Sequence, residues 1–80
     1  MTRMTADSFR TLIYLEHVRK HPHASAVAIV KETSRQATVR FSTDDPDPRQ
    51  FSLSKRNKHE ADALGLIKVY LAGELPNHPA

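Results

Sequence analysis

Between Gln36 and Ser42 polar and apolar side chains alternate at every residue. The apolar members of this alternation are Ala37, Val39 and Phe41. A period of two residues is typical of a β-strand with one buried and one exposed face. If Val39 and Phe41 point inward, then the polar residues between and beside them, including Arg40, point outward.

The neighbouring segments predict two further strands. Residues 25–32 are rich in β-branched side chains and favour a first strand, although the alanines there also fit a short helix over 24–33. Residues 44–48 contain two prolines and three aspartates, which cannot continue a ladder and therefore predict a loop. Residues 50–54 alternate again and predict a short third strand.

A helical pattern precedes the strands. Its apolar residues are Phe9, Leu12, Ile13, Leu15 and Val18. This spacing makes a broad apolar stripe on one helix face. Thr5 or Asp7 can cap the helix, and Pro22 ends it because the residue before a proline avoids the helical region. We therefore expect a first helix over about 7–20.

A second helical pattern follows the strands. Its apolar residues step by three or four: Leu64, Ile67, Leu71 and Leu75. They predict a helix over about 55–73, with Ser54 as a candidate cap. The same stretch also fits a helix that ends at Gly65 and a strand over 66–71, where alternate residues are again apolar.

The predicted order is helix, three strands in a meander, helix. This is an α+β fold of the αβββα type, and the alternative adds a fourth C-terminal strand after a short second helix. A sheet of three strands needs a helix against one face to be stable alone, so we expect Val39, Phe41, Phe51 and Leu53 to lie beneath the helices. The 80 residues predict a single small domain over 1–80, with a frayed tail at 76–80.

Several function classes have no support in the sequence. There is no cysteine, and Gly65 and Gly73 stand alone, so neither a thiol enzyme nor a phosphate-cradling glycine loop is present. We expect no enzymatic activity and no cofactor. No apolar run approaches the roughly 20 residues of a membrane span, and the first residues lack the apolar core of a signal peptide. We expect a cytoplasmic protein that does not bind membranes.

The histidines offer a metal site as an alternative reading. His17 and His21 are four residues apart on the first helix, a spacing at which histidines can ligate zinc, with His23 or Glu16 as a third ligand. The His-Glu-x-x-His order is absent, and Pro22 disturbs the geometry. We therefore favour exposed histidines on the polar side of the helix and predict no metal.

The outward side of the sheet is the candidate functional site. Arginine and lysine pair with guanine or phosphate groups, and glutamine pairs with adenine. Phosphates near the start of the second helix would also meet its free amides. The residues that we expect to contact nucleic acid are Lys31, Arg35, Thr38, Arg40, Arg49, Gln50, Ser52, Lys55, Arg56 and Lys58.

A family resemblance supports this interpretation. The strand Arg49-Gln50-Phe51-Ser52-Leu53-Ser54, a basic run, and Glu60-Ala61 leading into a helix resemble DNA-binding domains made of a three-stranded sheet and a helix. Such domains occur in plant ethylene-response factors and in the arm-binding ends of phage tyrosine recombinases. The resemblance covers about 25–72 and implies a sheet lying in the major groove. The glycines and tryptophans of that family are absent here, and the first helix is additional.

A second resemblance concerns RNA. The helix, three strands and helix, with Ser54-Lys55-Arg56 opening the last helix, also resemble double-stranded-RNA-binding domains, although the alanine pairs and the glycine-rich loop of that family are absent. We therefore expect a duplex nucleic acid as the partner, with DNA favoured over RNA.

The sequence thus predicts a small regulatory or accessory protein that binds nucleic acid, of the kind found in transcription regulation and in phages or mobile elements. The alternative is a protein-binding module, or a phage- or plasmid-type inhibitor that acts through a protein interface or as a homodimer. Leu66, Val69 and Tyr70 favour this alternative because they exceed what one helix face can bury.

Overall fold

The computed structural model describes residues 3–43 and 49–75. Its elements are α1 (Ala6–Lys20), β1 (Ala26–Glu32), β2 (Gln36–Ser42), β3 (Arg49–Ser54) and α2 (Lys58–Leu71). The strands form one antiparallel sheet in the order β1-β2-β3. The predicted αβββα fold is confirmed. The predicted loop at 44–48 and the predicted tail at 76–80 lie outside the described residues.

The two alternative secondary-structure predictions, a helix over 24–33 and a strand over 66–71, are wrong. The segment that also fitted a helix over 24–33 forms β1, because its β-branched side chains pair with β2. Residues 66–71 continue α2 through Gly65, so there is no fourth strand in the described part of the chain. Neither α1 nor α2 is long and apolar enough to cross a membrane.

The register of the central strand β2 gives the sheet one apolar and one polar face. Val39 lies between Ile29 of β1 and Phe51 of β3. The next residue, Arg40, is exposed on the opposite face. Since Val39 is fully buried, the alternation in the sequence correctly predicted which face the helices cover.

Both helices pack on this apolar face. The core is one cluster of buried residues from all five elements: Leu15, Val18, Val27, Ala37, Val39, Phe41, Phe51, Leu53, Ala63, Leu64 and Ile67. Tyr14 of α1 packs against the cluster, with its ring 5.7 Å from that of Phe41 and 5.8 Å from that of Phe51. The opposite face of the sheet is therefore covered by neither α1 nor α2.

The face that α1 buries differs from the predicted apolar stripe. Ser8 and Thr11 are fully buried, whereas Phe9 and Ile13 are 56% and 52% exposed. The buried hydroxyls are satisfied within the helix, since Ser8 Oγ donates to the Thr5 carbonyl at 2.9 Å and Thr11 Oγ1 donates to the Asp7 carbonyl at 2.6 Å. Burying a polar group costs little free energy when the group keeps a hydrogen-bond partner. This allows α1 to turn the small residues Ser8 and Thr11 toward the core.

Each helix begins at a capping side chain. Thr5 caps α1, because its Oγ1 accepts from the Ser8 amide at 3.1 Å. Asn57 caps α2, because its Oδ1 accepts from the Glu60 amide at 3.1 Å. The candidate cap Ser54 is the last residue of β3 instead, so the helix starts three residues later than predicted.

Candidate nucleic-acid interface

The uncovered face of the sheet is built from alternate residues of its three strands. Its members are Ala26, Ala28 and Lys31 in β1, Gln36, Thr38, Arg40 and Ser42 in β2, and Gln50, Ser52 and Ser54 in β3. We call this surface the polar sheet face. None of its members is acidic, and the charges that it carries are those of Lys31 and Arg40.

Arg40 lies near the centre of the polar sheet face. It is exposed and is paired with Ala28 on one side and Gln50 on the other. The methyl group of Ala28 leaves the guanidinium open to solvent, and Arg40 forms no ion pair with any residue that the structure describes. Cross-strand neighbours have Cβ atoms roughly 5 Å apart, so Arg40 and Gln50 offer adjacent hydrogen-bonding groups.

A bulge in β1 brings Lys31 onto the same face. The register shifts between Ile29 and Lys31, so that Lys31 pairs with Thr38. Without this shift Lys31 would pair with Ala37, which points into the core. The extra residue of a bulge re-aims the side chains that follow it. Lys31, Thr38 and Ser52 thus form a row next to that of Arg40 and Gln50.

The only acidic residue in the described strands points to the helix side of the sheet. Glu32 accepts from Lys55 Nζ at 2.8 Å and from Lys68 Nζ at 2.6 Å. These two hydrogen bonds lower the pKa of Glu32 from 4.5 to about 2. Glu32 is therefore neutralised away from the polar sheet face, and Lys55, a predicted contact residue, is engaged in this ion pair.

One end of the sheet gathers the other predicted cations. The Lys55 amide donates to the Arg35 carbonyl at 2.8 Å, which holds the β1–β2 turn beside the β3–α2 turn. Arg35 and Arg56 in these turns and Lys58 at the start of α2 are exposed. They form no ion pair with any residue in the described ranges. Three exposed cationic residues therefore lie at one end of the sheet.

Arg49 is the predicted contact residue that lies apart from the others. It pairs with Phe41, so it projects from the helix side of β3 rather than from the polar sheet face. There it lines a cleft of about 740 Å³ between α1 and β3, together with Asp7, Arg10, Tyr14, Gln50 and Phe51. Arg10 was not predicted as a site residue, because nothing in the sequence indicates that α1 and β3 are neighbours.

His17 and His21 lie side by side at the end of α1. The rings of His17 and His21 are in contact, with centroids 4.5 Å apart. No group of three histidine, aspartate or glutamate side chains within 3–43 and 49–75 could hold a metal ion. The alternative zinc site therefore has no third ligand among the described residues.

Comparison of the chain with models of known protein families, with curated proteins and with solved structures finds no match. The resemblance to sheet-based DNA-binding domains therefore stays a prediction. The functional argument depends on the polar sheet face and the cations around it.

Proposed function

We propose that this protein binds duplex DNA by placing its polar sheet face in the major groove, as a small regulatory or accessory factor. The observation that carries the proposal is the exposed Arg40, which has no ion pair among the described residues and lies at the centre of a sheet face whose strand residues include no carboxylate. A surface that merely faces solvent has no need to exclude acidic residues. A surface that contacts phosphates and base edges must exclude acidic residues, because each carboxylate would repel the DNA.

The dimensions of the sheet agree with those of the groove. Neighbouring strands lie about 4.8 Å apart, so the backbones of three strands span about 10 Å. The major groove of B-DNA is roughly 12 Å wide and admits strands whose side chains reach the base edges. The major groove of duplex RNA is too deep and narrow for this contact, which favours DNA as the partner.

The roles of the side chains follow from their positions. Arg40 is placed to pair with the O6 and N7 acceptors of guanine, and Gln50 with the N6 and N7 groups of adenine. The remaining cations lie at the edge or end of the face and would contact phosphates: Lys31, Arg35, Arg56 and Lys58. Four such contacts correspond to a slope of about −4 when the logarithm of affinity is plotted against the logarithm of salt concentration.

Fluorescence anisotropy with a labelled DNA duplex, at several salt concentrations, tests the proposal. We expect Arg40→Gln to weaken binding to a guanine-containing site at least about fivefold, because one good base contact contributes about 1–3 kcal/mol. Lys20→Gln is the matched control, since it removes the same charge from an exposed position on α1, on the other side of the sheet. Equal affinities for the two variants would contradict the proposal.

Self-association through α1 is a second candidate function, favoured by a different observation. Met4, Phe9 and Ile13 are each about half exposed on the side of α1 that points away from the core. Together with the polar residues towards the end of α1, they line an open groove of about 660 Å³. Exposed apolar groups clustered in this way commonly mark an interface with another protein.

The spacing of charges along α1 favours a second copy of this chain as the occupant of the groove. Arg10 and Glu16 are each three residues from Ile13, and Glu16 also pairs with Arg19 and Lys20 of its own helix. In an antiparallel pair of α1 helices with its twofold axis at Ile13, Arg10 of each copy is level with Glu16 of the other. The antiparallel arrangement also places opposite ends of the helix dipoles side by side.

Sedimentation velocity over a range of protein concentrations tests this candidate. We expect wild type to dimerise with rising concentration and Ile13→Lys to remain monomeric. Leu66→Lys is the control, because Leu66 is exposed on α2, where the sequence predicted an interface. A monomer at every concentration would exclude the candidate, and dimerisation lost only in Leu66→Lys would place the interface on α2 instead.

A further inference from the structure

Two arginines that are distant in sequence border the cleft between α1 and the edge strand β3. Arg10 of α1 and Arg49 of β3 both line it. Neither forms an ion pair with any residue in the described part of the chain. Asp7 lines the same cleft, so the lining carries one acidic and two basic residues and keeps a net positive charge that attracts an anion.

We propose that this cleft binds a phosphate group through Arg10 and Arg49. In the complex with DNA, the phosphate belongs to the sugar–phosphate backbone that runs beside β3. This second statement rests on the proposed function, whereas phosphate binding by the cleft can be measured without DNA.

The chemistry of the lining suits a phosphate. A guanidinium presents planar, paired N–H donors that match two phosphate oxygens, and its charge persists at any physiological pH. Tyr14 and Phe51 form an aromatic wall, and the contacts of Tyr14 with Phe41 and Phe51 hold that wall in place. The donors are thus mounted on α1 and β3 rather than on a loop.

The position of the cleft matches the path of a DNA strand. β3 is an edge strand, because it pairs with β2 on one side only. When the polar sheet face lies in the major groove, the two sheet edges face the walls of the groove, which are the sugar–phosphate backbones. Gln50 belongs to both surfaces, since it is the neighbour of Arg40 on the polar sheet face and lines the cleft. Base contacts and the phosphate contact therefore adjoin along β3.

Asp7 is expected to weaken phosphate binding in the cleft. Its carboxylate lines the same cleft and opposes an incoming anion. Replacing it with the neutral isostere, Asp7→Asn, is expected to strengthen phosphate and DNA binding. A stronger affinity would be difficult to attribute to structural damage, so this variant separates a local electrostatic effect from partial unfolding.

Two measurements test the inference. The first titrates isotopically labelled protein with inorganic phosphate and follows backbone amide signals by NMR. We expect shifts at Tyr14, Arg49 and Gln50, and their loss in Arg10→Gln. The second measurement repeats the anisotropy titrations with the labelled DNA duplex at several salt concentrations. Arg10→Gln and Arg49→Gln should each reduce the magnitude of the salt slope on any DNA sequence, by about 1 in total because the two side chains hold the same phosphate. Lys20→Gln, at the far end of α1, should leave the slope unchanged.

The outcomes distinguish this inference from the proposed function. Suppose that DNA binds and that Arg40→Gln weakens this binding, but that neither Arg10→Gln nor Arg49→Gln changes the salt slope. The proposed contact between the cleft and a DNA phosphate is then wrong, while the proposed function stands. If DNA does not bind but phosphate shifts the three amide signals, the cleft is a phosphate site for another ligand and the proposed function fails. If phosphate shifts none of these signals in wild type, the cleft does not bind phosphate.

Discussion

Glu32 is the one carboxylate in the described strands, and it is paired with two lysines on the helix side of the sheet. It follows the bulge in β1, faces Lys55 and Lys68 of the helix side, and has a pKa lowered from 4.5 to about 2. A lowered pKa in the folded state means that the ion cluster stabilises the fold above pH 4.5 and that this contribution is lost as the pH falls toward 2. Because the groups are partly exposed, water and salt weaken the effect.

Glu32→Gln tests this linkage. We expect the variant to be less stable than wild type at neutral pH and the difference to vanish as the pH falls from above 4.5 toward 2. Urea unfolding at several pH values measures it. Asp62→Asn is the control, because Asp62 is exposed on α2 and forms no ion pair with any described residue. A difference between wild type and Glu32→Gln that is independent of pH would show that the cluster is held by packing and not by charge.

The two glycines of the C-terminal segment have opposite roles in α2. Gly65 lies inside the helix, and no atom approaches within 4 Å of the place where a Cβ would be. Gly73 follows the helix with a positive φ of 80°. There its amide donates to the Tyr70 carbonyl and the Glu74 amide donates to the Val69 carbonyl, which together form a Schellman motif.

The same substitution should therefore act in opposite directions at these sites. Gly65→Ala is expected to raise the free energy of unfolding by about 0.5–1 kcal/mol, because alanine loses less backbone entropy in a helix. Gly73→Ala is expected to lower it by about 1 kcal/mol, because a Cβ disfavours the left-handed conformation. Thermal unfolding measures both, with a shift of about 4–8 °C for each 1 kcal/mol. A destabilised Gly65→Ala would contradict a continuous α2.

The strands were predictable from the sequence, and the orientation of α1 was not. Alternation leaves only two possible orientations for a strand, with one set of alternate residues buried or the other. In β2 the apolar set with Val39 and Phe41 is the one that is buried. A helix can rotate through many orientations, and the apolar content of α1 favoured burying Phe9 and Ile13. The structure instead buries Ser8 and Thr11, whose hydroxyls are satisfied by carbonyls of the preceding turn. Such local hydrogen bonds cannot be read from hydrophobic periodicity.

The candidate site was predictable to the same extent. Arg40, Gln50 and Ser52 follow directly from the alternation in β2 and β3. Three other placements depend on tertiary structure: the outward position of Lys31 requires the bulge, the pairing of Lys55 requires Glu32, and the cleft partner of Arg49 comes from α1. Contacts between distant segments have no signature in a single sequence.

The core and the polar sheet face lie on opposite sides of the sheet. One face of the sheet and both helices form a single core, while the polar sheet face contributes side chains that no packing requires. A chain of 80 residues has a total stability of only about 4–12 kcal/mol. The sequence predicted a single domain over 1–80, and one shared core implies that its parts unfold together.

Two phenylalanines that looked equivalent in the sequence test this organisation. Phe41 is fully buried against Tyr14 and Phe51, whereas Phe9 is 56% exposed on α1. We expect Phe41→Ala to lower the free energy of unfolding by about 3–5 kcal/mol, a large part of the total, and Phe9→Ala to change it by no more than about 0.5 kcal/mol. Urea unfolding followed by both far-ultraviolet circular dichroism and tyrosine fluorescence measures these changes. The two probes should give coincident transitions in wild type, because α1 and α2 share the core with the sheet. Similar costs for the two variants would contradict the orientation of α1, and separate transitions would contradict a single cooperative unit.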